Sequence, residues 1–251
     1  MIPERLELTY RGRTLVGSRH AAADSRGLAI LNHGFSANRI GPQRFYFEIA
    51  RTLAAAGIDV VAYDRLGQGE SCGTLDEITL PDEIAQIEAM VDAHGQGRPV
   101  HLIGHSLGGM ESACVAARLP RRIASLTLYA PAAYIADEIT GGTVLGKPVD
   151  PIDAGGVVDH MGQPVGQPLV ASVRAGFDPY AGLSAYTGPV QIHHGSQDEV
   201  IPMRYVERYA RIWGARARLI RHDTDHGFSA IEVRKALARD TRDGILAVPL
   251  S

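Results

Sequence analysis

The sequence predicts an α/β protein whose mostly parallel sheet is covered by helices on both faces. Short apolar runs of strand length alternate with segments that repeat apolar residues at helical spacing, which is typical of such sheets. Several of these runs end in polar or glycine-rich stretches, at His33, Asp64, Ser106 and Asp198. The 251 residues, 45% of them hydrophobic, are enough for one large core.

The elements follow from the local patterns. Residues 5–10 and 13–18 alternate apolar and polar side chains and predict an antiparallel hairpin at the sheet edge. The next predicted elements are a strand over 27–32, a helix over 42–56, a strand over 59–63, a helix over 80–93, a strand ending near 103, a helix behind it through 117 and a strand over 125–129. The alternation resumes with a strand over 190–193, a helix over 202–213, a strand over 216–221 and a helix over 229–238.

The regular pattern stops between Ala132 and Thr187. Glycine pairs and prolines interrupt this segment, and no helical or strand period is sustained. We therefore predict a core formed by residues 1–131 and 188–251, with an inserted cap over 132–187 that is built from short elements.

Composition bounds the function classes. The net charge of −3, from 25 basic and 28 acidic residues, argues against nucleic acid or an anionic membrane as a partner. The two cysteines, Cys72 and Cys114, lack the spacing of a metal site or a disulfide framework, which favours a reducing compartment. The N-terminus has no apolar leader pattern, so we expect a cytoplasmic protein. The sequence leaves a homodimer open.

The candidate nucleophile is Ser106, in the run Gly104-His105-Ser106-Leu107-Gly108. The run lies between a predicted strand and a predicted helix, and such a turn forces its central residue into a strained backbone while small neighbours let strand and helix approach. The Leu107 N–H at the helix start would face an oxyanion formed on a bound substrate. A helix-capping serine in a glycine-rich turn is the alternative.

A serine hydroxyl needs a base to accept its proton and a carboxylate to orient that base. His226, in a loop after the last predicted strand, is the preferred base, and Asp198, after the first strand beyond the cap, is the preferred acid. Phe35, after His33-Gly34, can supply a second N–H for the oxyanion. The alternatives that stay open are His193 and His194 for the base, and Asp178, Asp223 and Asp225 for the acid.

These motifs resemble those of the α/β-hydrolases. The matching stretches are His33-Gly34-Phe35, 64–71 (DRLGQGES), 104–109 (GHSLGG), 195–198 (GSQD) and 225–228 (DHGF). Within that superfamily the chain most resembles the small bacterial carboxylesterases of the cinnamoyl (feruloyl) esterase group, through 33–39 (HGFSANR), 130–133 (APAA) and 195–202 (GSQDEVIP).

The resemblance implies an α/β-hydrolase fold and a serine carboxylesterase that needs no metal and no organic cofactor. It also implies that an acidic residue and a tyrosine of the cap bind the phenolic end of the substrate, here Asp137 or Glu138 and Tyr180. The mixed apolar and polar cap suits a small-molecule ester with a short-chain or aryl acyl group. Thioesterase, amidase, acyltransferase or C–C hydrolase chemistry on the same residues, and a non-catalytic small-molecule-binding role, remain alternatives.

Overall fold

The computed structural model describes residues 2–249. The strands in this range are β1 (Glu4–Tyr10), β2 (Arg13–His20), β3 (Leu28–Asn32), β4 (Asp59–Tyr63), β5 (Val100–His105), β6 (Ile123–Tyr129), β7 (Thr143–Val144), β8 (Lys147–Pro148), β9 (Val158–His160), β10 (Gln163–Val165), β11 (Val190–Gly195) and β12 (Ala217–His222). The α-helices are α1 (Phe45–Ala55), α2 (Leu80–His94), α3 (Leu107–Arg118), α4 (Tyr134–Thr140), α5 (Asp150–Asp153), α6 (Gln167–Arg174), α7 (Met203–Trp213) and α8 (Ile231–Leu246).

The central sheet contains eight strands in the order β1-β2-β4-β3-β5-β6-β11-β12. Strand β2 runs antiparallel to both β1 and β4, and every pair from β4 to β12 is parallel. The predicted fold class, with an antiparallel hairpin at the edge of a mostly parallel sheet, is therefore confirmed. Because the pairs from β4 to β12 are parallel, the carboxyl ends of these strands meet at one edge of the sheet, where ligands bind in open α/β sheets.

The sheet has an apolar cluster on each face, as successive side chains of a strand point to opposite sides. In β3, Leu28 and Ile30 belong to the cluster that also contains residues of α2 and α3. Ala29 and Leu31 belong to the cluster that contains residues of α1 and α8. Helices thus cover both faces, as the sequence predicts.

Two helices differ from their predicted bounds. Helix α1 begins at Phe45 rather than near Pro42, because Gln43 and Arg44 have positive φ angles of 46° and 64° and interrupt the helical path. Helix α8 continues to Leu246, well past the predicted end near residue 238. The end of this helix was missed because part of its buried side is polar: the Thr241 hydroxyl lies 2.5 Å from the Tyr129 hydroxyl in the interior.

Residues 132–187 connect β6 to β11 through short elements. They contain α4, the β7–β8 pair, α5, the β9–β10 pair and α6. The segment is tied to the rest of the molecule by specific contacts, such as the Ser172 hydroxyl accepting the Leu80 N–H at 3.3 Å. Among residues 2–249, no helix combines the length and apolar character needed to cross a bilayer.

Candidate active site

Ser106 occupies a strained turn between β5 and α3. Its φ of 55° and ψ of −120° are a conformation that side-chain-bearing residues rarely adopt. The turn is possible because its neighbours have no side chain: a Cβ on Gly104 would lie 2.2 Å from the Gly108 carbonyl oxygen, and one on Gly108 would lie 2.2 Å from that of His33. The spacing of glycines around Ser106 is therefore a steric requirement.

Asp198 and His226 are hydrogen-bonded to each other. The Nδ1–H of His226 donates to Asp198 Oδ2 at 2.7 Å, while Asp198 Oδ1 accepts the N–H groups of Val200 and Ile201 at 2.8 Å each. Burial tends to raise the pKa of Asp198, but the His226 bond and these N–H groups outweigh it and lower the pKa below its ordinary value. A carboxylate that accepts from Nδ1 leaves Nε2 of the imidazole free to accept a proton.

The other histidine candidates are engaged differently. His193 is buried, and its Nδ1 lies 3.0 Å from Nε2 of His222. His194 is also buried, and its Nδ1 lies 3.6 Å from Asp198 Oδ2, beyond the distance at which His226 contacts the same oxygen. The structure thus brings His226, rather than His193 or His194, into hydrogen-bonding contact with Asp198.

The other aspartate candidates hold local structure. Asp223 accepts from the Gln197 side chain at 2.7 Å. Asp225 accepts the Ser229 N–H at 2.9 Å, and Asp178 accepts a backbone N–H two residues further along the chain at 2.9 Å. These contacts are typical of loop-shaping aspartates.

Two backbone N–H groups beside Ser106 have no acceptor among residues 2–249: those of Phe35 and Leu107. The loop His33-Gly34-Phe35, here called the His33 loop, lies directly against the serine, since a Cβ on Gly34 would be 3.1 Å from Ser106 Cβ. Two free donors near one hydroxyl are the arrangement required to stabilise an oxyanion.

A cavity of about 430 Å³ opens over Ser106. Its lining from the predicted core consists of Phe35, Ser106, Leu107, Glu199, Val200 and Ile201. Its lining from the predicted cap consists of Ala132, Tyr134, Ile135, Glu138, Leu145, Gly146 and His160. The surface is mainly apolar with a few polar groups, which is usual for small-molecule sites.

The three cap residues predicted to bind substrate are placed differently. Glu138 lines the cavity and accepts the Gly146 N–H at 2.6 Å. Asp137 instead accepts from the Tyr205 hydroxyl at 2.6 Å, and the Tyr180 hydroxyl donates to the Tyr205 carbonyl at 3.0 Å. The structure brings Glu138 to the cavity, whereas Asp137 and Tyr180 connect residues 132–187 to α7.

Sequence reasoning passed over a link between Tyr46, His105 and the His226 loop. The His226 carbonyl can only accept, so His105 Nε2–H donates to it at 3.0 Å and Nδ1 accepts from the Tyr46 hydroxyl at 2.7 Å. Burial and the neighbouring His226 lower the pKa of His105 to about 3, so it stays neutral. The position of His105 beside Ser106 was a usable signal; Tyr46 offered none.

Glu199 was also passed over, although it lines the cavity directly after Asp198. Its place in the same strand-end loop was the available signal. With Glu138, it gives the cavity two carboxyl groups.

The chain belongs to the alpha/beta hydrolase fold family, whose model matches residues 29–174. It is 28% identical over 209 residues to the monoacylglycerol lipase of Mycolicibacterium smegmatis, covering 72% of this chain and 73% of that protein. It is 30% identical over 113 residues to the lysophosphatidylserine lipase ABHD12 of Macaca fascicularis, covering 45% of this chain but only 27% of that protein.

Solved structures share the fold over almost the whole chain. Est1E from Butyrivibrio proteoclasticus, with ferulic acid bound, superimposes with a TM-score of 0.85 at 24% identity, covering 96% of this chain and 99% of that one. The mouse alpha/beta hydrolase domain-containing protein 10 superimposes with a TM-score of 0.82 at 20% identity, covering 98% and 100%. The predicted resemblance to the α/β-hydrolases is thereby confirmed.

Proposed function

We propose that the protein hydrolyses carboxylic esters with short-chain or aryl acyl groups through an acyl-enzyme on Ser106. The observation that carries the proposal is the position of Ser106 in a strained turn at the cavity surface, beside two unengaged N–H groups. The hydrogen-bonded Asp198 and His226 supply the acid and base that such a serine needs.

In this mechanism, Ser106 Oγ attacks the ester carbonyl while Nε2 of His226 takes the hydroxyl proton. The Phe35 and Leu107 N–H groups stabilise the oxyanion, and Asp198 holds the imidazole and stabilises its protonated form. His226 then gives the proton to the departing alcohol, leaving the acyl group on Ser106. His226 takes a proton from water as the water attacks this acyl-enzyme, and it returns that proton to Ser106 Oγ as the carboxylic acid leaves.

The volume and the lining of the cavity favour a neutral substrate of modest size that carries hydrogen-bond donors. Its volume of about 430 Å³ is near the lower end of the usual range for small-molecule sites. Its described lining contains Glu138 and Glu199 but no lysine or arginine, which disfavours an anionic group near the reacting carbonyl. We propose that Glu138 accepts from a substrate hydroxyl.

The names of two of the similar proteins agree with this substrate class. Est1E binds ferulic acid, and the Mycolicibacterium relative is a monoacylglycerol lipase. Ferulic acid and a monoacylglycerol both carry hydroxyl groups that a carboxylate can bind. Ferulate esters and monoacylglycerols differ in their acyl groups, so a panel of substrates can distinguish a preference for one from a preference for the other.

The test is labelling by a fluorophosphonate probe together with hydrolysis of p-nitrophenyl butyrate. We expect the wild type to react in both assays and Ser106→Ala to fail in both, because only an activated serine reacts quickly with such probes. Ser196→Ala, at an exposed serine outside the cavity, is the matched control and should behave as wild type. Labelling that persists in Ser106→Ala would contradict the proposal.

The acyl preference is measured as kcat/KM across p-nitrophenyl acetate, butyrate, decanoate and palmitate, methyl ferulate and monobutyrin. Short-chain or aryl esters should be preferred. A steady rise towards palmitate would contradict the small-cavity interpretation while leaving the esterase mechanism intact.

A further inference from the structure

Arg65, which follows β4, is a buried cation directly behind the His33 loop. Its Nη2 donates to the Gly34 carbonyl oxygen at 3.4 Å, and its backbone N–H donates to His33 Nε2 at 3.2 Å. The proposed mechanism uses the loop's Phe35 N–H but assigns no role to Arg65. Charged side chains are rarely fully buried unless they are paired and hydrogen-bonded, so the contacts of Arg65 determine what its burial achieves.

His33 contacts the same carbonyl oxygen as Arg65. Its Nδ1 lies 2.7 Å from the Gly34 oxygen, which can only accept, so Nδ1 carries the proton and Nε2 accepts from Arg65. Burial, reinforced by the charge of Arg65, holds the pKa of His33 well below its usual range. His33 is therefore neutral and fixed in one tautomer.

These contacts determine where the Phe35 N–H points. No cis peptide occurs in residues 2–249, and in a trans peptide the carbonyl of one residue and the N–H of the next point in opposite directions. With the Gly34 oxygen held towards Arg65 and His33, the Phe35 N–H of the same peptide points away from the interior. Rotation of this peptide would break two hydrogen bonds and withdraw the donor from the cavity.

The surroundings of Arg65 keep the cation in place. Its Nε donates to Glu83 of α2 at 2.9 Å, and its Nη2 lies 3.5 Å from Glu111 of α3. Burial raises the pKa of Glu111 well above its usual range; the charge of Arg65 opposes this rise and Glu83 adds to it. With Glu111 protonated, Arg65 and Glu83 form a neutral pair between two helices, and the fork of the guanidinium has a fixed orientation.

We propose that Arg65 is a positioning residue of the oxyanion hole: it holds the Gly34 carbonyl from the interior, which aims the Phe35 N–H at the oxyanion. This inference rests on the proposed function, because it concerns the same reaction. Loss of Arg65 should therefore weaken the stabilisation of the transition state and change the binding of the substrate ground state little.

The experiment compares Glu83→Gln with the double variant Arg65→Gln/Glu83→Gln. The double variant removes the cation together with its charged partner. In the single variant Arg65 keeps its contact with Gly34, and Glu111, whose pKa Glu83 no longer raises, becomes the acidic partner of the cation. We expect the double variant to lower kcat about 10- to 100-fold, below the full loss of one oxyanion donor, and to change KM less than about threefold. The Ki of an alkylboronic acid, which forms a tetrahedral anion on the serine, should rise by the same factor as kcat falls.

Glu83→Gln should stay within about threefold of the wild type in kcat and boronic acid Ki. Arg65→Lys keeps the charge but loses the fork, so its boronic acid Ki should also rise. Equal Ki values in the wild type and a folded Arg65 variant would overturn the proposal, as would failure of both Arg65 variants to fold, which would make Arg65 a folding residue. A wild type that neither hydrolyses esters nor binds the boronic acid would instead overturn the proposed function.

Discussion

The two sides of the cavity are built in different ways. On the core side, Ser106 is fixed by close backbone contacts at the end of β5, and the Asp198 carboxylate is buried with both oxygens engaged. On the side of residues 132–187, the predicted cap, most of the lining comes from the seven-residue helix α4, from the turn between the two-residue strands β7 and β8, and from His160 in the three-residue strand β9.

The contrast separates two tasks. Groups that act on a reacting carbonyl must be held to within a fraction of an ångström, and the residues to which the proposed mechanism gives this task follow strands of a sheet that is buried on both faces. Groups that bind the rest of a substrate tolerate looser placement, and the residues proposed for this task lie on a segment that can vary without disturbing the sheet. Changes on the core side should therefore affect turnover and folding, while changes on the cap side should affect substrate choice.

The largest effect is expected from Asp198→Asn on the core side. The amide cannot hold the His226 Nδ1–H in the required orientation, so kcat for p-nitrophenyl butyrate should fall by on the order of 10³- to 10⁴-fold with the fold retained. Steady-state kinetics and circular dichroism measure the two parts.

Asp223→Asn is the matched control, because Asp223 contacts Gln197 rather than His226. It should keep kcat within about threefold of the wild type. A mild effect of Asp198→Asn beside a severe effect of Asp223→Asn would show that Asp223, and not Asp198, is the acid.

The arrangement on the core side could be predicted from the sequence because it follows from the order and direction of the strands. Parallel strands end at one edge, so reactive side chains after successive strands must be neighbours. This reasoning brought Ser106, Asp198 and His226 together, and the structure places Nδ1 of His226 2.7 Å from Asp198. The glycines at 104 and 108 were predicted for the steric reason that the structure shows.

The cap and the buried charges could not be anticipated in the same way. Asp137 and Tyr180 lie in a segment without a sustained period, so the sequence does not reveal that both make hydrogen bonds to Tyr205. Arg65 and Glu111 resemble ordinary surface charges in the sequence, since their burial depends on three elements meeting. Tertiary contacts determine such positions, and local patterns do not.

A second core-side prediction concerns Gly108→Ala. The added methyl would lie 2.2 Å from the His33 carbonyl oxygen, so the strained turn at Ser106 and the His33 loop must separate. We expect a loss of about 3 kcal/mol in the free energy of unfolding, together with much lower esterase activity. Urea unfolding and ester hydrolysis measure these effects.

Gly155→Ala in the cap is the comparison variant. Gly155 has a φ of 85°, but no heavy atom lies within 4 Å of the place that the added methyl would take, so only backbone strain of about 1 kcal/mol is expected. Equal destabilisation by the two substitutions would show that the core turn is less tightly constrained than its contacts indicate.

Acid sensitivity should also reside in the core. Burial lowers the pKa of His101 to about 4, and its Nδ1 lies 2.7 Å from the Ser125 hydroxyl. Between pH 6.5 and 4 the unfolded chain binds a proton that the folded protein does not, so stability is lost as the pH falls through this window. His101→Asn should therefore reduce the difference in unfolding free energy between pH 7 and pH 4.5 by about 2 kcal/mol.

The cap variant His160→Asn provides the contrast for this pH measurement. Burial lowers the pKa of His160 as well, but this side chain is only half-buried, so its loss should change the pH dependence in the same direction and by less. Urea unfolding at both pH values tests the pair. An unchanged pH difference in His101→Asn would remove His101 as a source of acid sensitivity.

The smallest effect is expected from Glu138→Gln on the cap side. The substitution preserves shape and an acceptor for the Gly146 N–H but replaces a carboxylate with a neutral amide. A hydrogen bond from a substrate hydroxyl to a charged acceptor is stronger than one to an amide by about 1 kcal/mol, so kcat/KM for methyl ferulate or monobutyrin should fall about fivefold. Hydrolysis of p-nitrophenyl acetate, which has no such hydroxyl, should change less than about twofold. Asp137 lies outside the cavity, so Asp137→Asn should affect the two kinds of ester equally. If Glu138→Gln also lowered kcat/KM equally for both, Glu138 would have a structural role and would not select the substrate.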